Sequence, residues 1–234
     1  MREDQAERLL HYVMSLTGGF LGGYAILNRS GLLGAAQTSN MINTVLNLAG
    51  GSFSGLAIRL GALVLYVSGI VATVLIPRYT RWNLKNVSLA LDVAAVLVLG
   101  FLPQGMDNML ALYPLFFAMS VQWCTFQGCG GYASATVFST NNLRQFATAV
   151  TAFYFGREEK MREKIKFYGA TLTAFHLGVA ASWPCCNLAG VKSAWICLAP
   201  LAAAGYLAAA GRREESVKIC ECRGEGGNVR GLAG

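Results

Sequence analysis

Charged residues are scarce in this chain. Asp, Glu, Lys and Arg together make up 13% of its 234 residues, against about 25% in an ordinary soluble domain. So little charge excludes a typical soluble domain, whose surface needs many ionised side chains. Hydrophobic residues instead reach 54%, which is typical of a polytopic membrane protein. A chain of this length holds one bundle of several spanning helices of about 20 residues each, without room for a second domain.

Sequence motifs of catalysis and metal binding are missing as well. The chain has no Walker sequence, no GxSxG and no HExxH, and GGFLGG at 18–23 does not match the dinucleotide motif GxGxxG. Its seven cysteines form no paired CxxC units. We therefore expect no enzyme activity, no cofactor and no metal site. Two cysteine pairs, Cys185 with Cys186 in a predicted outer loop and Cys220 with Cys222 near the end, leave a redox or metal role open beside simple packing.

The positions of the basic residues in the sequence explain the net charge of +7. Lys and Arg collect in 77–85, in 156–166 and after residue 212, whereas 103–108 and 184–191 contain neither. Cytoplasmic loops of membrane proteins show this bias. We therefore predict a multi-pass membrane protein with both termini in the cytoplasm and no affinity for nucleic acid.

Six apolar runs have the length of a membrane span. They cover about 9–27, 55–76, 87–102, 109–127, 167–183 and 193–210. Two further runs, 41–49 and 142–155, are too short to cross a hydrocarbon core of about 30 Å at roughly 1.5 Å per residue, and we predict that they are half-helices. The expected fold is all-α, with 1–8 as a cytoplasmic N-terminus, 9–211 as a single transmembrane domain and 212–234 as a flexible cytoplasmic tail.

The order of these segments predicts two repeats of opposite orientation. Each repeat would have three crossings and a half-helix after the first, and because three is odd the second repeat must enter the membrane from the other face. A shift of 102 residues aligns the Thr-x-Asn of 38–40 with that of 140–142, and a shift of 109 aligns Gly69 with Gly178. The repeats would cover about 9–102 and 109–210.

Two polar stretches precede the half-helices: GAAQTSNM at 34–41 and FSTNNL at 138–143. Their Ser, Thr and Asn residues are typical helix N-caps. Irregular backbone at membrane depth must be buried in protein or line a wet cavity, and helix starts favour anions. Many transporters combine inverted repeats with broken helices near the midplane. We therefore predict a cavity for a small polar or anionic solute, lined by Gln37, Thr38, Asn40, Gln122, Thr140, Asn142 and Arg144.

Individual residues add narrower expectations. Arg144 opposes the dipole of its helix start, which favours a partner or a ligand, although snorkelling to the interface is the alternative. Asp92 is expected to pair with a basic residue of 78–85. His176 is either a satisfied core histidine or a proton relay. A stripe of small residues in the first helix predicts close helix packing: Gly18, Gly19, Gly22 and Gly23.

Two segments resemble the YoaK family of bacterial membrane proteins, also called domain of unknown function 1275. They are GGFLGGYAILNRSGLLGAAQTSNM at 18–41 and FAMSVQWCTFQGCGGYASATVFSTNNLRQF at 117–146. The resemblance covers roughly 9–210 and implies a bacterial inner-membrane protein with about six spans. Many members have an Asp in the first helix where this chain has Gly22 and Gly23, so the resemblance does not extend to an ion-coupled mechanism.

The sequence therefore predicts an integral transporter or channel-like protein in the bacterial cytoplasmic membrane. Its partners would be the lipid bilayer and a small polar or anionic solute, and a homo-oligomer is compatible with this composition. The alternative is a non-transporting membrane scaffold or partner-binding protein, in which the two hinges only cap and pack short helices.

Overall fold

The computed structural model describes residues 3–29 and 37–211. Residues 34–36 of the first hinge and the predicted tail at 212–234 lie outside the described residues, as do residues 1 and 2.

Helices account for almost all of the described chain, as predicted. In chain order they are α1 (Glu3–Asn28), α2 (Gln37–Ala49), α3 (Phe53–Tyr79), α4 (Leu84–Phe101), α5 (Asn108–Ala111), α6 (Tyr113–Thr125), α7 (Thr140–Tyr154), α8 (Met161–Ala189), a 3-10 helix (Gly190–Cys197) and α9 (198–211). A two-stranded hairpin, β1 (Gly128–Cys129) with β2 (Tyr132–Ala133), was not predicted. Both predicted half-helices are short helices, α2 and α7.

Within residues 3–29 and 37–211, three helical segments are long and apolar enough to cross a membrane: α3, α4 and the continuous stretch from Met161 to Gly211. The distribution of polarity supports a lipid environment. In α3 the apolar window has a mean hydropathy of 2.2, yet only 17% of it is buried inside the protein, and Val64 and Val74 are well exposed. The interior, by contrast, contains many polar side chains. Apolar surface facing outward is stable in lipid, where water does not oppose its exposure.

Ion pairs and hydrogen bonds mark the two ends of the bundle. At one end the Lys85 ammonium lies 2.7 Å from the Glu7 carboxylate, and Arg8 lies 3.7 Å from Glu163. These pairs hold the starts of α1, α4 and α8 together. At the other end the Asn28 amide donates to the sulfur of Cys186 at 3.1 Å, which joins the last turns of α1 and α8.

Glycines allow the closest helix contacts. A Cβ at Gly19 of α1 would collide with the backbone of Phe175 in α8, and a Cβ at Gly178 of α8 would collide with the backbone of Leu16 in α1. Among the elements from α1 to the 3-10 helix, α1 and α8 have the most extensive contact, and the close approach at Gly19 confirms the predicted packing there. In the same way, Gly69 of α3 packs against α6.

Three local expectations are wrong. Asp92 lies in α4 with no ion pair to the basic linker, because Lys85 is paired with Glu7 and Asp92 faces the interior. Cys185 and Cys186 are not in an outer loop, because α8 continues through both as far as Ala189. Ser139 precedes α7, but its side chain makes no capping hydrogen bond.

Candidate functional site

The loop at 134–139, which includes the first residues of the predicted second hinge at 138–143, is held in place by Asn142. The side-chain Nδ2 of Asn142 donates to the carbonyl oxygens of Ala135 (2.8 Å) and Phe138 (3.1 Å). Its oxygen accepts from the Ser134 hydroxyl at 2.9 Å and, over 3.4 Å, from the Ala135 amide. One buried side chain thus satisfies backbone groups that the irregular loop would otherwise leave unpaired. This loop is therefore buried within the protein.

Gln122 ties the same loop to α1. Its amide nitrogen donates to the Thr136 hydroxyl at 3.0 Å and to the carbonyl oxygen of Met14 at 3.2 Å. Its Oε1 is buried and has no hydrogen-bond partner. Gln122 and Asn142, which lie 20 residues apart in sequence, therefore come together on either side of one loop.

His11 connects this buried network to a cavity at the Glu7 end of the bundle. Its Nε2 lies 2.9 Å from the Ser134 hydroxyl, and its ring lines a small space of about 30 Å³ together with Thr125 and Cys129. Next to it is a cavity of about 330 Å³ lined by α1, α4, α6 and α9, with Glu7, Asn83, Lys85 and Thr125 as its polar residues. The seven predicted site residues do not line this cavity.

The short helix α2 turns its polar stripe inward. Gln37, Asn40, Thr44 and Asn47 recur every three to four residues and, with Asn43, are its less exposed positions, Asn40 being buried. The opposite face is apolar and exposed: Met41, Ile42, Val45, Leu46 and Leu48. Both amide atoms of Gln37 and the Nδ2 of Asn40 are buried without a hydrogen-bond partner. The stripe therefore offers unused hydrogen-bonding groups inside the protein.

The remaining predicted residues lie on the outside of the described structure. Thr38 and Thr140 are exposed, and so is Arg144, whose guanidinium donates to the Asn141 side chain at 3.0 Å. The structure packs α2 against α3 and α7 against α8. The predicted residues thus fall into an α2 pair, a pair around the loop, and three exposed side chains.

Sequence reasoning missed Arg29, which is fully buried directly after α1. Its Nη1 donates to the carbonyl oxygens of Pro103 (3.2 Å) and Gln104 (3.3 Å). The guanidinium also lies near the Tyr24 hydroxyl, while Nε and Nη2 are buried without a partner at hydrogen-bonding distance. An arginine at the end of an apolar run was the available signal. Such residues ordinarily snorkel to the interface, so the sequence alone did not distinguish Arg29 from them.

Within 3–29 and 37–211 no three His, Cys, Asp or Glu side chains lie close enough to hold a metal ion. The groups that are present, amides and a guanidinium, bind polar or anionic molecules through hydrogen bonds.

A family model described as "Protein of unknown function (DUF1275)" matches residues 10–207. Neither a curated protein nor a solved structure gives a significant match.

Proposed function

The chain belongs to the DUF1275 family, and from its geometry we propose that it is a bacterial inner-membrane transporter or channel-like protein for a small polar or anionic solute. The observation that carries the proposal is the inward polar stripe of α2. This half-helix exposes Val45 and Leu46 and buries the unpartnered side-chain amides of Gln37 and Asn40. Its apolar face can therefore contact lipid while its polar face can bind a solute.

Contacts at the two ends support six crossings, three in each repeat. Besides α1, α4 and α8, the segment α5–α6 also connects the two ends. At the start of α6 the Tyr113 hydroxyl donates to the carbonyl oxygen of Ile58 near the start of α3, and α6 ends at Thr125 beside Glu7 and Lys85. The final helix runs from the Ser193 end, where Cys186 lies, back to Gly211 at the Glu7 end.

Helix packing supports the inverted repeats. If α1 corresponds to α6 and α3 to α8, the pairs α1–α8 and α3–α6 exchange under the repeat, and both pairs are in contact. Gly69 and Gly178, aligned in sequence, occupy reciprocal contacts: Gly69 meets Phe117 and Ser120 in α6, and Gly178 meets Leu16 and Phe20 in α1.

Arg29, in addition to Arg144, is proposed to supply the positive charge that binds an anionic solute. Arg29 is buried with two unused nitrogens, whereas Arg144 is exposed and hydrogen-bonded to its neighbour. A desolvated guanidinium binds an anion more strongly than a solvated one, since the lower local dielectric weakens the competing screening.

Access to the α2 stripe tests the passage. After removal of the native cysteines, a charged thiol reagent is applied to Asn40→Cys and, as the matched control, to Val45→Cys on the lipid-facing side of the same helix. A wet passage predicts labelling at position 40 and protection at position 45. Equal protection of both positions would contradict the proposal.

Anion binding tests the assignment of Arg29. Purified protein is heated in the presence of chloride, formate or inorganic phosphate, since a ligand raises the melting temperature of the state that binds it. Arg29→Gln should lose the increase, with Arg29→Lys as the variant that keeps the charge. If only Arg144→Gln loses the rise in melting temperature, Arg144 and not Arg29 binds the anion.

A second candidate function rests on the outer face of α7. Thr140, Arg144, Thr148 and Thr151 form an exposed polar row on a helix whose start, through Asn142, lies at the level of His11 in α1. Polar groups facing lipid are costly, so this row favours contact with a second copy of the chain or another membrane protein. Cross-linking in liposomes through a cysteine at Thr148 tests this scaffold-type role, with Leu177→Cys on α8 as the control.

A further inference from the structure

Asp92 is a charged residue type placed where no counter-ion reaches it. It lies eight residues after the start of α4, about 12 Å along a helix of about 27 Å. It is completely buried, and neither carboxylate oxygen has a hydrogen-bond partner. Ser88, one turn earlier on the same helix, is also fully buried with an unpartnered hydroxyl.

The elements that pack against α4 bring no cation to Asp92. From the 3-10 helix, Cys197 lies within electrostatic range of Asp92, whereas Lys192 of the same helix is exposed. The helix α6 contains no ionised residue, only Tyr113 and Cys124 near its ends. The arginines of α3, Arg59 and Arg78, lie towards the two ends of that helix.

An ionised carboxylate is therefore excluded from this position while the bundle is closed. Burying an isolated charge is so unfavourable that the group takes up a proton and becomes neutral. Natural proteins rarely keep an ionisable residue inside a membrane domain without a use for it, and proton relays are a common use.

We propose that Asp92 is a proton-binding site that is neutral when the bundle is closed and exchanges its proton with water when the bundle opens. The carboxylate accepts a proton from hydronium, leaving water, and returns it by the reverse step, with no change in oxidation state. Coupling of this cycle to solute movement rests on the proposed function. The proton site itself does not.

Carbodiimide labelling tests the proton site directly. Dicyclohexylcarbodiimide, an apolar reagent, takes the proton of a neutral carboxyl on nitrogen, binds the carboxyl oxygen at its central carbon, and rearranges to a stable N-acylurea. Asp107 is the matched control, because it is exposed and its carboxylate accepts hydrogen bonds from the amides of Met109 and Leu110. Protein in liposomes at neutral pH is labelled and the modified peptides are identified by mass spectrometry.

The expected result is at least about tenfold more modification at Asp92 than at Asp107, lost in Asp92→Asn and falling about tenfold per pH unit once the group ionises. A water-soluble carbodiimide should give much less labelling at Asp92. Absence of dicyclohexylcarbodiimide labelling at Asp92 in folded protein would overturn the proposal.

Coupling is measured through the α2 stripe. Labelling of Asn40→Cys by a charged thiol reagent should change with pH beyond the reagent's own dependence, and Asp92→Asn should remove that change. If labelling of Asn40→Cys depends on pH in the same way when Asp92→Asn is also present, the proposed coupling is wrong. No labelling at any pH contradicts the proposed passage, whereas the carbodiimide result still decides the proton site.

Discussion

Replacing Asn142 by alanine should destabilise the protein far more than replacing its sequence match Asn40. Asn142 makes three good hydrogen bonds, to Ser134 (2.9 Å), Ala135 (2.8 Å) and Phe138 (3.1 Å). The alanine variant leaves those partners buried and unpaired. At about 1–1.5 kcal/mol for each bond the loss is roughly 3–4.5 kcal/mol.

The matched variants are Asn40→Ala and Asn141→Ala. The Nδ2 of Asn40 has no partner to lose, and Asn141 bonds only the exposed Arg144 side chain among its described contacts. Each should lower the free energy of unfolding by less than about 1 kcal/mol.

Helix content followed during heating in detergent is the assay. For a chain of this size about 1 kcal/mol lowers the melting temperature by roughly 2–4 °C, so Asn142→Ala should melt roughly 6–18 °C lower than the unmodified protein. An Asn142→Ala variant that melts with Asn40→Ala would refute the reasoning, because water would then be satisfying the loop in place of the side chain.

Three further predictions concern packing and surface chemistry. Gly178→Leu should destabilise the α1–α8 pair by about 1–3 kcal/mol or more through a collision with backbone, whereas Gly205→Ala, which meets open space, should be neutral or stabilising; melting temperatures compare them. Burial raises the pKa of the Cys129 thiol to about 11, so its reaction with a maleimide should be slow at neutral pH and should rise about tenfold per pH unit up to that pKa; mass spectrometry of the peptide measures the rate, and a fast, pH-independent reaction would contradict the burial. Lys85→Ala should cost less than about 1 kcal/mol, because its pair with Glu7 is partly exposed; a large loss in denaturant titration would show that the pair is better shielded than its exposure indicates.

Most helix positions follow from the sequence, because lipid imposes a simple rule on it; the exception is 184–191, which continues α8 and enters the 3-10 helix where a loop was expected. A spanning segment must pair its own backbone and present apolar side chains, and both requirements appear in the local sequence as a long hydrophobic run. For the same reason the two shorter apolar runs, before Gly50 and before Phe155, predict short helices. Gly19 and Gly178 likewise indicated close packing without showing which helix each one touches.

Which polar side chains are satisfied was decided only by the tertiary structure. Asn40 and Asn142 occupy matching places in sequence. The side-chain amide of Asn142 hydrogen-bonds the loop at 134–139, whereas the Nδ2 of Asn40 has no hydrogen-bond partner. Arg29 and Arg144 differ in the same way, one buried and the other exposed. A hydrogen bond depends on the position of its partner, and the partners of these residues come from distant parts of the chain, brought near by helix packing that no local pattern encodes.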